Sequence, residues 1–249
     1  MDHRSASNGR LRARARTLLP QVERRLRRTF GTVPRGVAPL GNKRDPVREL
    51  IFIQLTVRTP EATYLDTYAR LRTVVGGEWA RLRTLPDRSL LPALRSGGMG
   101  RVKLARLRGQ LAALTQRFGR ITLAPLRRMS DTEAEEVLCS LPGVGPKVAR
   151  CVLMYSLDRD VFPVDSNCLR IFGRLGLLPR NLTLKASHDV VQDFVPPRLR
   201  RSLHVNLVRL GRSVCTRGKP HCALCPLLDL CPTGLMSARN RAEHDAGAS

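Results

Sequence analysis

Apolar residues recur along this chain at the three- and four-residue intervals of amphipathic helices. "LRARARTLLPQVERRLRRTF" sets such a stripe into a strongly cationic helix, and residues 34–46, "PRGVAPLGNKRDP", form a Gly/Pro-rich linker. Helical patterns then follow one another: "DPVRELIFIQLTV" with Asp45 placed to cap it, "TPEATYLDTYARLRTVV", "GRVKLARLRGQLAALTQRF", "SDTEAEEVLCSL" and "PKVARCVLMYSL". Ser130 with Glu133 three residues on reads as a capping box. Beyond Asp165 the pattern gives two or three more helices, notably "NCLRIFGRLGLL" and "LRRSLHVNLVRLGRSV". Alternation of apolar and polar positions is nearly absent, so the pattern predicts an all-α fold. Residues 1–15 read as a disordered basic arm and 233–249 as a flexible tail.

Two of these helical stretches are separated only by "LPGVGP". The chain must reverse there within a few residues, which glycine permits because it accepts positive φ without a Cβ clash. Such a turn leaves the backbone N–H groups of Gly143, Val144 and Gly145 pointing outward at the start of the next helix, where the macrodipole is positive; this combination binds phosphate. Pro146 suits the first helical position, and Lys147 follows it. Contacts of this kind fix a backbone in place and carry no base information.

Charge turns that turn into part of a larger picture. Lys and Arg number 44 against 20 Asp and Glu, a formal charge of +24 over 249 residues. The basic residues are scattered through folded segments and not gathered beside one amphipathic helix, which favours nucleic acid over a membrane surface. Aromatic residues make up 4% of the chain, too few for a single-strand binder that stacks bases on aromatic platforms. No apolar run is long enough to cross a membrane and the opening lacks a secretory h-region, so a cytoplasmic, nucleoid-associated protein is expected. Four of the seven cysteines, Cys215, Cys222, Cys225 and Cys231, crowd together as C-x6-C-x2-C-x5-C. In a reducing compartment that spacing suits a metal site, either a [4Fe–4S] cluster or a tetrahedral zinc.

"LPGVGPKVA", "VDSNCLRIFGRLGL" and the terminal cysteine set occur in the order and spacing of the endonuclease III family of helix-hairpin-helix DNA glycosylases, which the chain resembles over residues 45–232. The resemblance implies a two-lobed all-α fold. Its helical barrel domain spans 46–159 with the helix-hairpin-helix at 135–158, and an iron–sulfur cluster domain spans 160–232 and packs with the N-terminal helix and linker of 16–45. It implies a [4Fe–4S] cluster on the four cysteines, Lys147 as the nucleophile that attacks the sugar C1′, and Asp165 as the second catalytic group. Double-stranded DNA containing damaged bases or abasic sites is the implied partner, bound by a monomer, with Arg217 and Lys219 of the cysteine loop on the phosphates.

Departures from the family pattern cluster near the expected lesion site. Asn167 stands where members carry a histidine, and Cys139 where many carry a glutamate. Arg58 in "LTVRTPE" replaces the glutamine that fills the gap left by a flipped base, and Met99 matches the second, apolar wedge. Thr56 and Glu61 keep the hydroxyl and acid of the family's pocket. The related adenine glycosylases lack the lysine and carry a catalytic glutamate where Phe52 falls here, with Glu49 one turn earlier. The expected activity is a bifunctional glycosylase and AP lyase that removes oxidised pyrimidines. The alternatives are a damage-binding paralogue with weak or no activity, or a glycosylase with a different base specificity.

Overall fold

The structure is a computed structural model and describes residues 3–178 and 182–246. Among the described residues there are eleven α-helices and no strand. They gather into two compact units, one of residues 35–159 and one of the described residues of 1–34 and 160–249.

In the unit of 35–159 the helices are α2 (Pro46–Thr56), α3 (Glu61–Val74), α4 (Asp87–Leu94), α5 (Gly100–Phe118), α6 (Asp131–Cys139) and α7 (Pro146–Leu157). Helix α2 is apolar nearly all round, as a central helix must be, and buries Leu50, Ile51, Phe52, Ile53 and Leu55. It starts where the sequence places it, with Asp45 Oδ1 accepting from the Arg48 N–H at 2.8 Å. Its main neighbour is α7, whose Ala149 is fully buried. On another side the Phe52 ring meets Tyr64 and Tyr68 edge-on at 5.5 Å each, geometry that suits the ring quadrupole. Helix α6 opens with the capping box of Ser130 and Glu133. Glu135 on α6 accepts from Arg150 Nε on α7 through both carboxylate oxygens at 2.9 Å, which pins the two helices of the hairpin together.

The second unit holds α1 (His3–Phe30), α8 (Ser166–Arg174), α9 (Leu184–Phe194), α10 (Pro197–Ser213) and α11 (Pro232–Ala246). The stripe Ala15, Leu18, Leu19, Val22 and Leu26 on α1 is buried, as is Leu203, Leu207 and Leu210 on α10, and the two helices pack together. Helix α8 packs on the other side of α10. The approach is so close that a Cβ on Gly211 would lie 2.7 Å from Asn167.

Three boundaries differ from the sequence reading. The sequence pattern groups residues 35–45 with the N-terminal helix, yet they join the unit of 35–159: Arg44 donates to Tyr155 O at 2.8 Å, and the Lys43 N–H donates to Glu49. Helix α1 begins at His3, within the expected arm of 1–15, because Ala13, Ala15 and Leu11 favour helix strongly enough to carry it past Gly9. Helix α11 (Pro232–Ala246) takes up 233–246 of the expected tail, started by Pro232 at a position where a missing N–H costs nothing. The ends of both predicted segments, residues 1–2 and 247–249, lie outside the described residues.

Candidate active site and cysteine cavity

The reversal at 141–145 is built from backbone and from two buried glutamines. Gly143 has φ +69°, and a Cβ there would sit 2.5 Å from Arg106 Cδ, so only glycine fits. The Val144 N–H bonds back to Leu141 O at 3.1 Å. Gln110 Nε2 on α5 donates to Pro142 O at 2.8 Å, and Gln54 Nε2 on α2 donates to Gly143 O at 2.9 Å. Both glutamines are buried. With the turn's carbonyls tied inward, the amides of Gly143 and Gly145 pair with no acceptor among the described residues and remain available at the N-terminus of α7. Val144 departs from the expectation: its side chain is buried and its N–H is used inside the turn, which leaves the two glycine amides as the outward-facing donors.

Lys147 is the second residue of α7, half-buried, directly after Pro146. Beneath it α2 carries an acid that the sequence did not single out as buried. Glu49 is fully buried; the Lys43 N–H donates to its Oε2 at 2.5 Å, and its Oε1 has no hydrogen-bond partner. Burial pushes its carboxyl up from 4.5 to about 8, against the opposing pull of that N–H, of Lys147 and of Lys43. Cys139, at the end of α6, is half-buried, and burial with the neighbouring Glu135 raises its thiol, so it is not a reactive thiolate.

Arg58 and Met99 stand on two loops of this same unit, after α2 and before α5, and both side chains are exposed. Both backbones are left-handed, at φ 52° and 53°. Thr56, at the end of α2, turns its hydroxyl back onto Ile53 O at 2.8 Å, and Glu61 opens α3.

Asp165 belongs to the other unit, where it caps α8: Oδ1 accepts from the Cys168 N–H at 2.8 Å. Its second oxygen accepts from Asn167 Nδ2 at 2.9 Å. Asn167 in turn accepts from Arg170 Nη2 at 2.8 Å, and that guanidinium continues to Gly211 O at 2.9 Å and Cys215 O at 2.8 Å. One turn on, Arg174 Nη1 donates to Cys215 Sγ at 3.0 Å and to Thr216 O at 2.9 Å. The residue that departs from the family pattern is therefore the link between the Asp165 carboxylate and the cysteine loop.

The four cysteines line one cavity, walled by Val214, Pro220 and Leu228. Burial raises the thiols of Cys225 and Cys231, and repulsion from the other thiols of the set adds to it. Among the described residues no three Cys, His, Asp or Glu side chains are gathered closely enough to hold a single metal ion. The loop between Val214 and His221 is closed by the His221 N–H on Val214 O at 2.9 Å and by Thr216 Oγ1 on Lys219 O at 2.8 Å. This closure leaves Arg217 and Lys219 exposed.

No family model matches the chain. It is 31% identical over 171 residues to the DNA glycosylase/AP lyase ROS1 of Arabidopsis thaliana, which covers 62% of this chain and 12% of that protein. The chain spans about an eighth of the length of ROS1 and of DEMETER-like protein 2 of the same plant. Endonuclease III of Thermotoga maritima is 28% identical over 204 residues, 80% of this chain and 91% of that protein. The solved structure of a non-covalent endonuclease III–DNA complex superposes with a TM-score of 0.75 at 22% identity, covering 92% of this chain and 98% of the other. The fold is that of the helix-hairpin-helix glycosylases. By sequence the chain is similar to endonuclease III.

No helix is long and apolar enough to cross a membrane, among the described residues.

Proposed function

We propose that the protein is a bifunctional DNA glycosylase and AP lyase that removes oxidised pyrimidines from duplex DNA as a monomer in the cytoplasm or nucleoid. The observation that carries this reading is Lys147 on the first turn of α7, two residues past a glycine turn whose carbonyls are held inward by Gln54 and Gln110. The amides of Gly143 and Gly145 take a phosphate of the damaged strand, which brings the adjoining sugar to Lys147. The neutral amine attacks C1′; the glycosidic bond breaks and the base leaves with its electron pair and takes up a proton. Nζ gives up a proton, the C1′–O4′ bond breaks as O4′ takes one up, and the opened sugar is held through a C1′=Nζ Schiff base; this loses a proton from C2′, and the C3′–O bond breaks with the phosphate as leaving group, which nicks the strand. Asp165 offsets the positive charge that develops on the sugar, and Asn167 holds its carboxylate by the oxygen not used for capping.

Arg58 and Met99 fill the space left by the extruded nucleotide, offsetting a few kcal/mol of lost stacking and pairing. Arg217 and Lys219 contact phosphates. The four cysteines would hold a [4Fe–4S] cluster, as the resemblance to endonuclease III implies, and all four line one cavity. When bound, the cluster supplies the positive core that the crowded thiolates need.

A panel of duplexes carrying single oxidised bases tests the reading. Turnover with strand nicking on an oxidised pyrimidine such as thymine glycol is the expected result. Tight binding at damage with no product across the panel would establish a damage-binding protein instead.

A further inference from the structure

Lys103, on the first turn of α5, is the most thoroughly buried lysine with a described environment that the chemistry above does not use. It is 3% exposed, and among the described residues it forms no ion pair. All three of its donors are nonetheless taken. Nζ donates to Leu55 O at 3.1 Å, to Gly97 O at 2.5 Å, and to Thr59 Oγ1. Leu55 lies in the last turn of α2, and Gly97 ends the 3₁₀ turn Arg95–Gly97 that follows α4. Both carbonyls carry the partial negative charge of a helix C-terminus, the natural partner of an ammonium that has no acid. The Thr59 hydroxyl lies 2.7 Å from both of the same carbonyls. The backbone N–H of Lys103 also bonds to Met99 O at 2.9 Å. One residue thus ties the end of α2, through Leu55 O, to Thr59 on the loop of Arg58 and to Gly97 O and Met99 O on the loop of Met99.

The two loops need to be held. Arg58 and Met99 both adopt left-handed backbone at φ 52° and 53°, a conformation that costs a non-glycine residue on the order of 1 kcal/mol and persists only where the surroundings impose it. Gly97 is packed down onto α3 and the Lys103 side chain, since a Cβ there would lie 3.2 Å from the Thr67 side chain and 3.6 Å from Lys103 Nζ. A buried ammonium carries a desolvation penalty that a hydrocarbon of the same length would avoid, and burial does lower the Lys103 amine below the ordinary lysine range. Stability by itself gives no reason for a lysine at this position; the geometry of the two loops does.

We propose that Lys103 is a positioning residue: its ammonium clamps the loops of Arg58 and Met99 into one unit, so that the two side chains enter the duplex together and hold open the space of the flipped base. The inference rests on the reading that Arg58 and Met99 occupy that space. It predicts that the two loops lose their fixed spacing when the ammonium is removed, while Lys147, the glycine turn and the phosphate contacts are undisturbed.

The test is Lys103→Met in the full-length protein, which keeps the length of the stem. Fluorescence of 2-aminopurine placed beside a lesion reports base extrusion on binding and needs no catalysis. With wild type it rises; with Lys103→Met the rise falls about tenfold or more, the scale set by misplacing a positioning group by about an ångström. Incision of a preformed abasic site in single-stranded DNA, which requires no extrusion, stays within about twofold of wild type. In the Arg58→Ala/Met99→Ala background Lys103→Met adds no further loss of fluorescence, because the groups it positions are gone. Circular dichroism at the assay temperature confirms that the variant is folded; were it not, Lys103→Gln, which keeps two donors at a shorter reach, would take its place and should lose part of the signal. The proposal is overturned by a fluorescence rise equal to wild type, by abasic-site incision that falls as far as extrusion does, or by an undiminished effect in the double-alanine background. If wild type extrudes the base but neither excises nor incises, the glycosylase reading fails while the fluorescence comparison still decides the role of Lys103.

Discussion

The buried Glu49 carboxyl gives the unit of 35–159 a pH signature that can be worked out from the structure. Its value is raised from 4.5 to about 8 by burial. A group raised on folding contributes fully to stability below its unfolded value, and that contribution is lost as pH rises through its folded value. The window here runs from about 4.5 to about 8, and at about 1.4 kcal/mol per unit it spans roughly 4 to 5 kcal/mol. Glu49→Gln removes this titration. The amide oxygen still accepts from the Lys43 N–H, but the new NH2 replaces an Oε1 that has no partner, at a cost of about 1 to 3 kcal/mol. The variant is therefore less stable than wild type at about pH 4.5 and more stable above about pH 8.5, with a change of sign between. Urea unfolding followed by helical circular dichroism in a series of buffers measures the difference, from which all unaltered groups cancel. A difference between the two proteins that stays constant across this range would refute the picture of Glu49 as a protonated buried acid.

Other expectations are as specific. Gly143→Ala forces a side chain at φ +69° into Arg106 and should cost about 1 to 3 kcal/mol, weakening DNA binding equally for all sequences as measured by fluorescence anisotropy. Arg217→Ala and Lys219→Ala should each reduce the slope of log affinity against log salt by about 0.9, with little change in single-turnover excision. Asn167→Ala leaves the Asp165 cap on Cys168 intact, so the melting temperature should move little while excision falls about tenfold or more; equal loss in both would assign Asn167 a structural role. Purified protein should be yellow-brown, and Cys225→Ser should lose that visible absorption, whereas a colourless protein containing zinc would contradict the cluster.

What the sequence shows best is local. Asp45, Ser130 with Glu133, and Asp165 were legible as caps because a cap is satisfied within three residues, and all three accept the expected N–H groups. The glycine turn was legible for the same reason. Helix α4 was not, since it has eight residues and Pro92 near its end, features that read as loop. Interactions that close over distance stayed hidden. Gln54 and Gln110 look like ordinary polar positions until the turn carbonyls they support are seen, although a glutamine inside "IFIQLT" was a signal that could have been followed. Lys103 lies in a helix rich in basic residues, and nothing in its spacing separates it from the exposed ones. Asn167 read only as a departure from the family pattern; in the structure it donates one hydrogen bond to Asp165 and accepts one from Arg170.

The central claim is that Lys147 forms the covalent bond to the sugar. Borohydride reduction during incubation with an abasic-site duplex, followed by digestion and mass spectrometry of the cross-linked peptide, tests it most directly. The account predicts a reduced adduct on Lys147 and its absence in Lys147→Ala, which should still bind the duplex. An adduct mapped to another residue, or strand nicking by Lys147→Ala at the wild-type rate, would contradict it.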